Sequence, residues 1–92
     1  MEFLVRFEAY LPESLSEERI KEIKSAERDR AMQLRSEGIL KRLWRVPGRR
    51  GVVGLWEAVD ATALHDALAS LPQFPWMDVT SVEPLATHPQ ER

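Results

Sequence analysis

The sequence contains no cysteine, which excludes disulfides and thiolate metal sites. Its four glycines are scattered, so no glycine-rich phosphate-binding loop occurs. No apolar run approaches the roughly 20 residues of a membrane-spanning helix, and the first residues lack the order of a signal peptide, a basic region followed by an apolar one. The only histidines, His65 and His88, do not have the spacing of metal ligands. We therefore expect a cytoplasmic protein without a metal site.

Neither sign of charge dominates, because 13 basic and 15 acidic residues leave a formal net charge of −2. This balance gives no general preference for nucleic acid or for acidic membranes. The chain has 92 residues, of which 43% are hydrophobic, and this suffices for one modest core. We expect a single domain over residues 1–92 with a polar tail over residues 83–92. Small domains of this kind often gain stability by self-association.

A long amphipathic helix is predicted between Ser14 and Gly38. Ser14 or Ser16 can cap its start, and Gly38 suits its end. Successive residues turn by about 100°, so the apolar residues of this segment gather on one side. They are Ile20, Ile23, Ala31 and Leu34.

Glu27 lies in the middle of this apolar side, where a core residue is expected. A carboxylate there must be paired, hydrogen-bonded or placed in a cavity, because burial of an unpaired charge is costly. Lys24, three residues earlier, can reach it, whereas Arg28 and Asp29 are expected on the solvated side. One interpretation is a half-wet carboxylate or a structural ion pair with Lys24 or an arginine. The other is a carboxylate that transfers protons in a cavity.

The remaining segments predict four strands and a second, shorter helix. Alternation and turn residues place the strands over residues 2–10, 39–46, 52–59 and 77–82, and the helix over residues 61–71. The order βαββαβ predicts a ferredoxin-like α+β sandwich, an antiparallel sheet with two helices on one face. Leu4 and Tyr10 would lie on the other face, which indicates that a partner covers it.

The predicted hairpin is rich in basic residues, namely Lys41, Arg42, Arg45, Arg49 and Arg50, with Trp44 among them. Three interpretations are open. Nucleic-acid binding is one, although the chain is net acidic and alternation divides the basic residues between two faces. A solvated hairpin or salt bridges between subunits is the second. The third is that one or two of these arginines bind the carboxylate of a small acid, a geometry that arginine suits well.

Several segments of the sequence together resemble one family of small enzymes. They are MEFLVRF at 1–7, LP at 11–12, Lys24 and Glu27, EG at 37–38, LWR at 43–45, Gly48, ALHDAL at 63–68, LPQFPWMDV at 71–79 and HP at 88–89. On these residues the sequence resembles the muconolactone delta-isomerases of aromatic catabolism over nearly its whole length. The motif LPxFPxMD is the most distinctive of the segments.

The resemblance implies a ferredoxin-like fold, dimers that assemble into a decamer, and no cofactor. It also implies a 1,3-proton shift that moves a double bond in a small carboxylated lactone, most directly muconolactone to 3-oxoadipate enol-lactone in catechol degradation. Carried over to this chain, it makes Glu27 the acid/base and Lys24 its assistant. Arg45 is a carboxylate-binding candidate, with Trp44 and Arg49 as further substrate-binding candidates.

The sequence departs from the family pattern after the hairpin glycine. The pattern there is His or Arg followed by Tyr-Ala-Asn, whereas this chain has Arg49-Arg50-Gly51-Val52. The exact substrate is therefore open. The alternatives are another lactone or unsaturated acid in a different pathway, and a small-ligand-binding or assembly module without catalysis.

Overall fold

A computed structural model describes all residues from Met1 to Arg92. The elements are β1 (Glu2–Ala9), α1 (Glu17–Ser36), β2 (Leu40–Arg45), β3 (Val52–Glu57), α2 (Ala61–Ala69) and β4 (Met77–Leu85), with short 3₁₀ turns at Phe74–Trp76 and Pro89–Glu91. The strands form one sheet in the order β2-β3-β1-β4, and all neighbours are antiparallel. This arrangement confirms the predicted ferredoxin-like α+β fold. None of its helices combines the length and the apolar character needed to cross a membrane.

Strand β1 is at the centre of the sheet and carries its core. Phe3, Val5 and Phe7 alternate along the strand and are buried, as the predicted two-residue period requires. Both helices pack over these side chains, so we call this side of the sheet the helix face and the opposite side the open face. The core cluster comprises Phe3, Val5, Phe7, Leu34, Leu40, Trp56, Leu64, Ala67, Leu68 and Leu71.

The ends of α1 follow from local sequence. Ser16, rather than Ser14, is the cap, because its hydroxyl accepts the backbone N–H of Arg19 at 3.1 Å. At the other end Gly38 has φ +77°, and the N–H of Ile39 donates a hydrogen bond to the carbonyl of Leu34 at 2.9 Å. A glycine suits this turn because it adopts positive φ without strain.

Strands β2 and β3 form the predicted hairpin, with Gly48 at φ +76° in its turn. In their register Arg45 is opposite Val52, and Leu43 is opposite Gly54. Val5 is also opposite Gly54, so these residues belong to the helix face. Trp44 lies between Leu43 and Arg45 and therefore belongs to the open face.

Strand β4 is longer than predicted. It continues beyond Val82 to Leu85, which places the first three residues of the predicted tail in the sheet. Pro84 favours the end of a strand in sequence, but β4 is an edge strand, where a residue without an N–H is tolerated. The pairing with β1 shifts register between Arg6 and Phe7.

Candidate active site

A cleft of about 600 Å³ opens on the helix face beside α1 and the β2–β3 hairpin. Helix α1 contributes one wall, and the hairpin contributes another. Its lining combines apolar residues with charged ones. The lining residues are Phe7, Ala9, Lys24, Glu27, Arg28, Ala31, Leu43, Arg45, Arg50, Val52 and Gln73.

Glu27 is half-buried in this cleft and is held by a backbone donor. The N–H of Gln73 donates to its Oε1 at 2.9 Å. Gln73 lies in a turn closed by the N–H of Phe74 and the carbonyl of Leu71 at 2.9 Å, with Pro72 at the second position. A proline there fixes φ for such a turn. The N–H of the third residue is not used to close the turn and is free to bind the carboxylate.

Burial raises the pKa of Glu27 above the ordinary value of a glutamate, and the hydrogen bond from Gln73 lowers it in part. Desolvation is thus the larger effect on this carboxyl. For comparison, the pKa of Glu57 is lowered, because the amino terminus donates to its side chain at 2.8 Å. A carboxylate of raised pKa that is open to a cleft is a stronger base than an exposed glutamate, and it can both accept a proton and return it.

Glu27 forms no ion pair, which argues against the structural-pair interpretation. The four ion pairs of the structure join the Met1 amine to Glu57, Arg19 to Glu22, Lys41 to Glu2, and Arg49 to Glu8. Lys24 lines the same cleft as Glu27, as its position three residues earlier predicts. Glu27 thus keeps a carboxylate that is not neutralised by a neighbouring side chain.

The structure brings three of the five predicted site residues together, namely Lys24, Glu27 and Arg45. The prediction that Arg28 projects away from the site is wrong, because Arg28 also lines the cleft. Its neighbour Glu27 faces the cleft directly, and the guanidinium of a long side chain can extend over the rim.

Trp44 and Arg49 lie outside this cleft. Trp44 is on the open face, where its ring is 5.0 Å from the guanidinium carbon of Arg42. Arg49 lines a separate cleft, and its Nη2 is 3.9 Å from Oε1 of Glu8. Within one chain, neither residue lines the cleft of Glu27.

Several further lining residues were not among the predicted site residues, including Gln73, Arg50 and Val52. The first acts through its backbone, so no side-chain pattern marks it. Val52 could have been found, because it is opposite Arg45 in the register and cross-strand neighbours share a face. Arg50 lies in the hairpin turn before β3 begins, where strand alternation does not fix the direction of a side chain. No group of three or more potential metal-ligating side chains occurs in the structure.

The fold and the cleft define a class of protein, a ferredoxin-like domain with a half-buried carboxylate opposite a cationic hairpin. Comparisons with known proteins then identify the family. A family model described as muconolactone delta-isomerase matches residues 1–91. The chain belongs to the muconolactone delta-isomerase family, as the sequence resemblance predicts.

Individual relatives agree with this assignment. The muconolactone delta-isomerase 2 of Acinetobacter lwoffii is 36% identical over 88 residues, covering 96% of this chain and 91% of the relative. The muconolactone delta-isomerase of Cupriavidus pinatubonensis is 36% identical, with 97% and 96% covered. A crystal structure of muconolactone isomerase superposes with a TM-score of 0.86 at 34% identity, covering 97% of this chain and 92% of that one. The fold and its dimensions are therefore shared over nearly the full length.

Proposed function

We propose that this protein isomerises muconolactone to 3-oxoadipate enol-lactone, without a cofactor, by a 1,3-proton shift in which Glu27 carries the proton. The observation that carries the proposal is the half-buried, unpaired Glu27 in an open cleft. Its membership of the family supplies the substrate. The alternative of a non-catalytic module would be favoured by a sealed and paired Glu27, which the structure does not contain.

The reaction needs one base that later acts as an acid. The Glu27 carboxylate removes a proton from a ring carbon, and the electron pair left behind is delocalised through the double bond to the carbonyl oxygen of the lactone. The carboxylic acid formed on Glu27 then returns the proton two carbons away, which leaves the double bond moved and Glu27 ionised again. No electrons leave the substrate, so no oxidant or reductant is needed. General acid–base catalysis of this kind contributes about 10²- to 10⁴-fold.

Cations around the cleft can stabilise the charge that develops on the lactone oxygen. Lys24 lies on the same helix as Glu27, one turn earlier, and has no ion-pair partner. We assign Lys24 to this role, in which fixed charges favour the intermediate without reorganisation. Arg45, across the cleft on β2, is our candidate for binding the carboxylate of the substrate.

A second candidate substrate is a related carboxylated lactone or unsaturated acid. The observation that favours it is that Arg50 and Val52, where the sequence departs from the family pattern, both line the cleft. A cleft with altered walls can select a different ring substituent while the proton chemistry at Glu27 is retained.

The direct test is to incubate the purified protein with muconolactone and to follow isomerisation by ultraviolet absorbance. We expect turnover that scales with protein concentration. Related carboxylated lactones are assayed in parallel. Turnover of a related lactone in the absence of turnover of muconolactone would favour the second substrate, and no turnover of any lactone would contradict the assignment as an enzyme.

We also propose that the chain forms a homo-oligomer through the open face, as the family resemblance implies. The open face carries apolar side chains that a monomer would leave in water. Trp44 and Leu85 on this face are each 40% exposed, and Leu4 and Leu55, opposite each other, are half-buried. Apolar side chains grouped on one face favour a protein partner over solvent.

Sedimentation at micromolar concentration tests this assembly. We expect wild-type protein larger than a monomer, and a shift toward smaller species for Trp44→Ser. The control is Met32→Ser, which removes a more exposed apolar side chain, 63% accessible, from the outside of α1. A monomeric wild type, or equal dissociation by both variants, would contradict an interface on the open face.

A further inference from the structure

The cleft of Glu27 carries more positive charge than its one carboxylate can balance. Its lining includes four cationic residues, Lys24, Arg28, Arg45 and Arg50. None of the four belongs to any ion pair of the structure. A concave surface with unpaired cations concentrates anions and binds them. The cleft is therefore built for an anionic ligand.

Two consecutive arginines of the hairpin have different partners. Arg49 approaches Glu8, with Nη2 at 3.9 Å from Oε1, and lines a cleft together with Arg6, Thr80 and Ser81. The other carboxylate oxygen of Glu8 accepts the hydroxyl of Tyr10. With Glu8 engaged in this way, Arg50 has no ion-pair partner of its own and lines the cleft of Glu27.

Arg45 and Arg50 both belong to the hairpin that forms one wall of the cleft. Arg45 is opposite Val52 across β2 and β3, and Arg50 is two residues before Val52. All three line the cleft, whereas Glu27 comes from α1 on the other wall. The two guanidinium groups thus belong to one wall and the proton-transferring carboxylate to the other.

We propose that Arg50, together with Arg45, binds the carboxylate of the substrate and so determines which lactones are accepted; this inference rests on the proposed function. Guanidinium groups bind carboxylates through paired hydrogen bonds of fixed direction. Anchored at the hairpin, the substrate presents its ring toward α1, where Glu27 reaches the acidic carbon. The accepted class is a lactone with a free carboxylate on a substituent, and a neutral lactone is bound without this orientation.

The test compares Arg50→Gln with wild type on a carboxylated lactone and on its methyl ester. We expect kcat/KM for the acid to fall about 10- to 100-fold, mostly through KM, because a hydrogen bond to a charged group is lost. The ester, which lacks the charge, should lose little. Arg50→Lys should recover part of the loss. Arg35→Gln is the charge-matched control, since Arg35 is exposed in the last turn of α1 and does not line the cleft of Glu27.

Binding of a saturated lactone acid, measured by calorimetry, separates this inference from the proposed function. The saturated acid lacks the double bond that would move, so it reports recognition without turnover. We expect wild type to bind it and Arg50→Gln to bind it at least about 10-fold more weakly. Equal binding by the two proteins, or equal losses of kcat/KM for acid and ester, would overturn the role of Arg50. If wild type binds the acid through Arg50 but turns over no lactone, the proposed function alone is contradicted. If wild type binds neither the acid nor the ester, the role of Arg50 and the proposed function are both overturned.

A comparison of Arg49→Gln with Arg50→Gln tests whether the residue predicted from the sequence or the residue inferred from the structure binds the acid. The sequence makes Arg49 a substrate-binding candidate, whereas the structure places Arg50 in the cleft. A larger loss of acid binding in Arg49→Gln than in Arg50→Gln would reverse our assignment.

Discussion

Glu27→Gln should leave the protein folded and lower turnover roughly 10²-fold or more, the typical contribution of a general acid–base group. An amide has nearly the volume of the carboxylate and can still accept the N–H of Gln73, which is 2.9 Å from Oε1 in the wild type. It cannot take up a proton from carbon. The control is Glu22→Gln on the same helix, where the side chain is exposed and paired only with Arg19 at 3.3 Å. Turnover close to wild type in folded Glu27→Gln protein would rule out the role of Glu27 as the base.

Stability measured on the same samples distinguishes a catalytic carboxylate from a structural one. The pKa of Glu27 is raised by burial, so the folded state holds its proton more tightly than the unfolded state does. The stability that this provides is present below the ordinary pKa of a glutamate and is lost as the pH rises through the raised value. At pH 7, Glu27→Gln should therefore melt at the same temperature as wild type or higher, and the difference should shrink on acidification. A structural ion pair would give the opposite result, a lower melting temperature at pH 7.

The raised pKa of Glu27 also gives the pH profile of the wild type a direction. The base form is needed, so kcat/KM should fall as the pH decreases through the pKa of Glu27, at a pH above that expected for an exposed glutamate.

Gly54→Ala should destabilise the protein by about 2 kcal/mol, which lowers the melting temperature by roughly 10 °C in a domain of this size. An added Cβ would lie 2.6 Å from Nε1 of Trp56 and 3.2 Å from Cδ2 of Leu43. Trp56 is among the largest fully buried side chains and cannot move aside without disturbing the core. Chemical denaturation of the variant measures the loss.

Gly51→Ala is the matched control for this prediction. Its added Cβ would meet Cγ of Glu8 at 3.3 Å, part of a flexible side chain that can shift. We expect a loss below about 1 kcal/mol, since the strain can relax. Because Leu43 lines the cleft, Gly54→Ala should also raise KM. Equal stabilities of the two variants would contradict the prediction and show that the core around Trp56 is loosely packed.

The fold could be predicted from sequence because several local signals agree. The alternation of Phe3, Val5 and Phe7 defines a strand with one buried side, and Gly38 and Gly48 occupy the two turns at which φ is positive. The end of β4 could not be predicted in the same way. Pro84 disfavours a central strand, and only the strand order reveals that β4 is at the edge.

The site could be predicted only in part. Helical periodicity identifies Glu27, since it is a charged residue at a position where the period of the helix predicts an apolar one. The contributions of Arg49 and Arg50 depend on how a tight hairpin turn directs consecutive side chains, which a strand pattern does not specify beyond the strand ends. Trp44 illustrates a related limit, because a motif groups it with Arg45 although alternation puts the two on opposite faces.

The hydrogen bond that restrains Glu27 comes from the main chain of Gln73, a residue that lines the cleft. Every residue except proline supplies such an N–H. Substitution at position 73 can therefore reshape the wall that a substrate touches and still leave the donor to the carboxylate in place. In the proposed mechanism, the acidity of Glu27 and the choice of substrate would therefore be separable at a single residue. If Glu27 carries the proton as proposed, substitutions at position 73 would change substrate choice without removing the hydrogen bond to the base.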